Sequence, residues 1–255
     1  MLYETSCFHP NKQEFNMTNT IKDTIATFPF GFVFTPKDFS IDPRKQATVN
    51  RILNYMVDAG EIRKVSKGRF YKPKMTEFGE LPLDTYELVK DLLEKNGKVV
   101  GYLTGYTAFN ELGLITQVPF VLQVGTNDEK KNLTRGFYRI TFIKQKNVIT
   151  KENIPLLRLL DCLRFFNNIP DSMPDETCCR LLFLLTALSA DQKNEIKRLS
   201  LNYTPQATAL LGAMLETLNP KEDTDEIFNA LNPQTYYKLS ISTNILFNQK
   251  KWNIK

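Results

Sequence analysis

Twice within nine residues the chain sets a capping side chain directly before a proline, at Thr35-Pro36 and again at Asp42-Pro43. Such pairs start helices, because the cap's oxygen accepts from an orphan N–H and proline has no N–H to leave unpaired. The first pair, with Asp38 behind it, predicts a short helix over Thr35 to Phe39. The second predicts a longer helix from Asp42 to Ala59, ended by Gly60. Within it Val49, Ile52, Leu53 and Met56 recur at helical spacing and mark one buried face. Strands at Ile62 to Val65 and Arg69 to Lys72 then flank the turn Ser66-Lys67-Gly68, where glycine can take positive φ. Upstream, Ile21 and Ile25 predict a helix over Thr18 to Thr27, and Gly31 to Phe34 reads as extended. Helices followed by a hairpin in this order predict a winged helix-turn-helix.

The same stretch is basic. Residues 35–74 hold ten Lys or Arg against four acids, a net +6, whereas the whole chain carries +5. Opposite the buried stripe the second helix presents Arg44, Thr48, Arg51 and Tyr55, with Lys45 and Asn54 on the flanks. Arg44 and Lys45 fall in its predicted first turn, the unfavourable end of the helix dipole for cations. A phosphate bound there would offset that cost. Arg63, Lys64, Lys67 and Arg69 add charge on the hairpin. The expectation is a double-stranded DNA surface, with base contacts from Thr48, Arg51 or Asn54. A solvated basic face, or a winged module that docks on protein, would share this composition.

The remaining features bound the chemistry. At 255 residues, 42% hydrophobic and 24% charged, the chain can bury a real core in one large or two to three small domains. Cys7, Cys162, Cys178 and Cys179 have no metal-ligand spacing and read as reduced thiols, partly in a helical core. A single histidine, His9, argues against His-based zinc sites and triads. There is no Gly-rich phosphate loop, no useful carboxylate pair and no activated nucleophile, so neither enzyme activity nor a cofactor or metal is expected. An early acid and no apolar leader argue against a signal peptide, and no apolar run reaches the ~20 residues of a membrane span. A cytoplasmic location is expected.

The organisation expected is α+β. Residues 1–16 are a disordered or extended tail, 17–75 the winged helix-turn-helix, 76–147 a small α+β domain and 148–255 a mainly helical region. The middle domain should hold a helix over Asp84 to Asn96, a helix over Gly105 to Leu112 capped by Thr104, and strands over Phe120 to Gly125 and Phe137 to Phe142. Apolar stripes then predict helices over Lys151 to Asn168, Asp175 to Leu188, Asp191 to Ser200 and, after the Thr204-Pro205 cap, to Thr217. Ala209, Gly212 and Ala213 permit close helix contact, and a helical bundle is the simplest account. Its apolar surface is open to packing on the middle domain, to self-association or to another protein. From Asp225 to Lys255 a short helix near Phe228 and a strand over Ile241 to Phe247 are expected.

One segment carries a family resemblance. Tyr102 to Asn127 contains Gly105, Ala108, Asn110, Leu112, Gly113, Leu114, Gln117, Val118, Pro119 and Thr126 in a spacing that resembles AbiEi-type antitoxins of type IV toxin–antitoxin systems. Upstream, Gly31, Phe34, Asp38 and Phe39, and then Gly60, Ile62, Arg63, Lys64, Gly68 and Phe70-Tyr71, are similar to the same family. Lys64 stands where the family has a second Arg, and Phe70 precedes the Tyr. The resemblance runs from about Lys22 to Phe142. It implies a winged helix that binds operator DNA and represses the operon, and a remainder that neutralises a nucleotidyltransferase-like toxin. It also implies Lys45, Thr48, Arg51, Arg63, Lys64, Lys67 and Arg69 as DNA-facing residues. Asn110 and Gln117 would hold the helix–strand corner or face a partner. The alternative is a winged-helix transcriptional regulator with no toxin partner.

Overall fold

The computed structural model describes residues 12–255, with side chains from residue 15. The chain is mixed α+β and divides into two compact units, one up to Lys90 and one from Asp91 onward. Cys7 and His9 lie outside the described residues. No described helix is long and apolar enough to cross a membrane.

The first unit opens on α1 (Lys12–Thr27), which buries Ile21 and Ile25. Residues 12–16 were expected in the tail, yet they are helical. Lys, Gln and Glu are good helix formers, a signal that a periodicity argument does not use. β1 (Val33–Phe34) follows, and then the first Thr-Pro pair. Its capping box is present: Thr35 Oγ1 accepts from Lys37 N at 3.3 Å, and Asp38 Oδ2 accepts from Thr35 N at 2.6 Å. The box closes only a 3-10 turn, Pro36–Asp38, where a short helix was expected. Asp42 likewise caps a 3-10 turn, Pro43–Lys45, which runs into α2 (Gln46–Asp58). The predicted stripe is the buried one: Val49, Ile52, Leu53 and Met56 are at most 2% exposed.

Gly60, at φ +76°, turns the chain out of α2 into β2 (Arg63–Ser66) and β3 (Arg69–Tyr71). Gly68 makes the tight turn at φ +71°. The three strands form an antiparallel sheet in the order β1-β3-β2, with Phe34 opposite Phe70. A register shift between Lys64 and Ser66 lets Ile62, Val65 and Phe70 all point inward. Phe34, Phe39 and Phe70 close the core beneath α2. A second small hairpin, β4 (Met75–Thr76) and β5 (Gly79–Glu80), precedes α3 (Thr85–Leu93), within which the division between units falls.

α3 was expected to continue to Asn96. Instead it gives way to the hairpin β6 (Glu94–Lys95) and β7 (Lys98–Val99), turned by Asn96 and Gly97, both at positive φ. An Asn-Gly pair between short runs is a hairpin signal, and here it overrides helix propensity. β8 (Gly101–Thr104), α4 (Tyr106–Glu111), β9 (Val121–Thr126), β10 (Leu133–Arg135) and β11 (Tyr138–Lys144) follow. They build a four-stranded sheet in the order β10-β11-β9-β8, in which β9 and β11 run parallel.

The helices α5 (Ile154–Arg164), α6 (Pro174–Thr186), α7 (Ala190–Ser200) and α8 (Pro205–Leu218) pack into one core with Tyr102 and Phe109 from the sheet region. α8 is central, buried continuously from Ala207 to Glu216. Cys162 and Cys178 are buried free thiols, and Cys179 is an exposed one. After α9 (Asp225–Asn229) the chain makes turns. The strand expected over Ile241 to Phe247 does not form, and a single bridge between Tyr237 and Ile254 is the only strand-like pairing among the described residues there. Side-chain anchors replace a ladder. Trp252 lies against Gly212, where an added Cβ would come within 2.1 Å of the ring. Its indole N–H donates to Glu216 at 2.9 Å.

Candidate nucleic-acid interface

α2 leaves an exposed arc opposite its buried stripe, through Ala47, Arg51 and Tyr55, with Thr48 at its margin. Lys45 is the exposed residue at its N-terminus. The β2–β3 hairpin borders this arc. Lys64 Nζ donates to Asn54 Oδ1 at 2.8 Å, which fixes hairpin charge beside the helix. Lys67 is exposed at the hairpin tip and Arg69 part-buried just beyond it. Lys45, Thr48, Arg51, Lys64, Lys67 and Arg69 therefore belong to one helix-plus-hairpin substructure.

Three predicted contact residues have other work. Arg44 was expected in the first turn of the helix with nothing in folding to ask for it. It lies instead in the preceding 3-10 turn and grips Asp42, with Nη2 at 2.7 Å from Oδ2 and Nε at 3.1 Å. This pairing holds the Asp42 carboxyl below the usual range and raises the Arg44 guanidinium. Folding thus supplies the anion that the sequence argument assigned to a phosphate.

Arg63 was expected to face solvent. Its Nε donates to Glu80 at 2.9 Å and its Nη1 to the Gly60 carbonyl at 3.0 Å, so it clamps the end of α2 to the second hairpin. Tyr71 donates to the same Glu80 at 2.6 Å, and burial together with that carboxylate pushes its phenol up to about 12. Asn54 donates to the Asn50 carbonyl at 2.7 Å while accepting from Lys64, so both ends of its amide are used. Lys72 is likewise bound into the fold, against the Phe30 ring at 4.6 Å.

The Tyr102 to Asn127 segment is mainly a folding device. Gly105 sits at φ +57° with Gln123 Oε1 where a Cβ would be, and that oxygen accepts from Tyr106 N at 3.2 Å. Gly113, at φ +73°, ends α4 beneath Arg180, whose Nε donates to the Leu112 carbonyl. Asn110 Nδ2 donates to the Gln117 carbonyl at 3.1 Å and so holds the corner. The Gln117 amide reaches away and donates to Asp171 at 2.7 Å.

The second unit also holds a buried polar cluster that no sequence motif marks. Asp161 is 0% exposed. Tyr102 and Thr104 donate to its Oδ2 at 2.8 and 2.6 Å, and Tyr203 to its Oδ1 at 3.1 Å. Gln145 Nε2 donates to both tyrosine hydroxyls. Burial raises the Asp161 carboxyl, and the hydroxyl hydrogen bonds oppose that shift. Thr104, expected to cap α4, makes no cap hydrogen bond, and Gly105 holds the N-cap position. The only signal in sequence was one acid on the apolar face of α5.

A family model described as a family of unknown function, DUF6088, matches residues 20–168, more than half of the chain. No curated protein matches. Among solved structures the RV2827C protein of Mycobacterium tuberculosis is similar, with a TM-score of 0.60 at 11% identity over 89% of this chain and 86% of that one. At that identity the likeness is one of fold.

Proposed function

The chain belongs to DUF6088, a family of unknown function, and from its own geometry we propose that it is a DNA-binding antitoxin and autorepressor. In this reading the first unit is a winged helix-turn-helix. α2 enters the major groove and the β2–β3 hairpin is the wing along the backbone. The observation that carries it is the joint placement of α2 and the hairpin, locked by Lys64 and Asn54, with the charge surplus of the chain concentrated there. Lys45, Lys64, Lys67 and Arg69 serve phosphates, and Thr48 and Arg51 serve base edges. Arg63 ties the end of α2 to the second hairpin and Arg44 is engaged with Asp42, so these two contribute long-range charge.

The resemblance of Gly31 to Thr126 to AbiEi-type antitoxins supports the second half of the proposal, that the rest of the chain neutralises a nucleotidyltransferase-like toxin. A mobility shift on the protein's own upstream DNA tests the first half. Arg51→Ala and Lys67→Ala should each weaken binding by about tenfold, on the order of 1–2 kcal/mol. Unchanged affinity in both sinks the DNA reading. Growth rescue from the product of an adjacent nucleotidyltransferase-like gene tests the second half. Failure to rescue, with DNA binding intact, leaves a regulator without a toxin partner.

A further inference from the structure

Three cations from two elements of the second unit border one recess. Lys144 ends β11 and Lys146 follows two residues later. Both are exposed, with Gln145 buried between them. Arg164, in the last turn of α5, meets them, its Nη1 3.5 Å from the Lys144 carbonyl. Tyr203 and Pro205 stand on the other side, around a cavity of about 270 Å³. No carboxylate lines it among the described residues. Asp161 lies behind Tyr203, fully buried.

Folding explains only part of this. A cation at a helix C-terminus is favourable, and Arg164 also covers the Phe165 ring at 5.2 Å. Neither reason applies to Lys144 and Lys146, which line the same recess. The floor is fixed in advance. Gln145 Nε2 donates to the Tyr102 and Tyr203 hydroxyls at 2.8 and 2.7 Å, and its Oε1 accepts from Asn147 N at 2.9 Å. Three positive charges over a rigid polar floor suit a compact, highly charged oxyanion, with arginine's fork and lysine's point charges in complementary roles. The ring faces of Tyr203 and Pro205 suit an organic group attached to it.

We infer that the recess bounded by Lys144, Lys146, Arg164 and Tyr203 binds the phosphate group of a small phosphorylated ligand of mononucleotide size. The cations hold the phosphate, and Tyr203 with Pro205 contacts the remainder. This site is separate in sequence from the helix-plus-hairpin surface of the first unit.

Calorimetric titration of the full chain with adenosine 5′-monophosphate and with inorganic phosphate tests it. The expected result is one site per chain for the nucleotide, weakened about tenfold or more by Lys144→Ala, Lys146→Ala and Arg164→Ala. The double variant Arg51→Ala/Lys67→Ala should bind it unchanged. Nucleotide binding tighter than phosphate assigns a nucleotide to the recess, whereas equal affinities would overturn the contact of Tyr203 and Pro205 with an organic group. Lys144 and Lys146 are exposed, so their variants stay informative if Arg164→Ala fails to fold. Absence of binding, affinity unaltered by both lysine variants, or displacement of the nucleotide by a glutamate-rich peptide at equal concentration would each overturn the proposal.

Discussion

Asp161 is the residue whose surroundings are most completely specified. Burying a carboxylate is costly, and three hydroxyls oriented on it offset that cost. Removing the acceptor strands all three donors in the core. Asp161→Ala should therefore cost about 3–5 kcal/mol in denaturant unfolding, and an effect below about 1 kcal/mol would show the cluster to be incidental. Asp161→Asn separates charge from shape. Because burial raises the folded carboxyl above its unfolded value of 3.8, the acid's contribution is fully present below that value. It is lost as pH rises through the folded pKa. The stability of the Asn variant relative to wild type should thus improve from pH 4 toward pH 8, and a constant difference would contradict the raised pKa. Gly212 makes a steric case at the same scale. Gly212→Ala puts a methyl into the Trp252 ring and should cost about 1–3 kcal/mol. Trp252 is the single tryptophan, so its fluorescence reports the displacement directly.

Elements were legible where one face is buried and illegible where remote side chains decide. The α2 stripe, the Thr204 cap on α8 and the Gly68 turn are all local, and each forms as the spacing predicts. The candidate surface was legible at Lys45, Thr48, Arg51, Lys64, Lys67 and Arg69 as a helix face plus a hairpin. It was illegible at Arg63, because Glu80 lies 17 residues away and nothing local marks the pair. The segment after Ile241 has alternating apolar residues and no neighbouring strand. It is held instead by Glu216, 36 residues before Trp252 and 35 before Lys251. That anchor is acid-sensitive. Burial acts to raise the Glu216 carboxyl, but Lys251, Thr224 and Trp252 together hold it below its ordinary 4.5. A depressed folded pKa gives stability that is present above 4.5 and lost as pH falls through the folded value. Tryptophan fluorescence should therefore report release of the C-terminal segment at acid pH, before global unfolding by far-UV circular dichroism. Glu216→Gln should show a looser Trp252 at neutral pH and lose the acid step. A Gln variant with the wild-type acid profile would assign the step to another group.

For the whole molecule, positive charge is concentrated in one short stretch. Residues 35–74 carry +6 and the chain +5, so the other residues together carry −1. Each unit also has its own apolar core, one around Phe34 and Phe70 beneath α2, the other around α8. The surplus is a property of that stretch and not of a whole unit, since residues 1–90 hold 13 Lys or Arg against 11 acids (+2) and residues 91–255 hold 20 against 17 (+3). That concentration has a measurable consequence. Each phosphate neutralised by a lysine or arginine releases counterions, so log K falls with log salt at roughly −0.9 per contact on duplex DNA. If Lys45 and Lys67 each make one such contact, Lys45→Ala/Lys67→Ala should lose about two units of that slope. Lys130 and Lys131, exposed or part-exposed beyond β9 in the second unit, supply the control: neutralising both should leave the slope unchanged. A slope that moves with the second pair and not with the first would transfer the nucleic-acid surface from the first unit to the second.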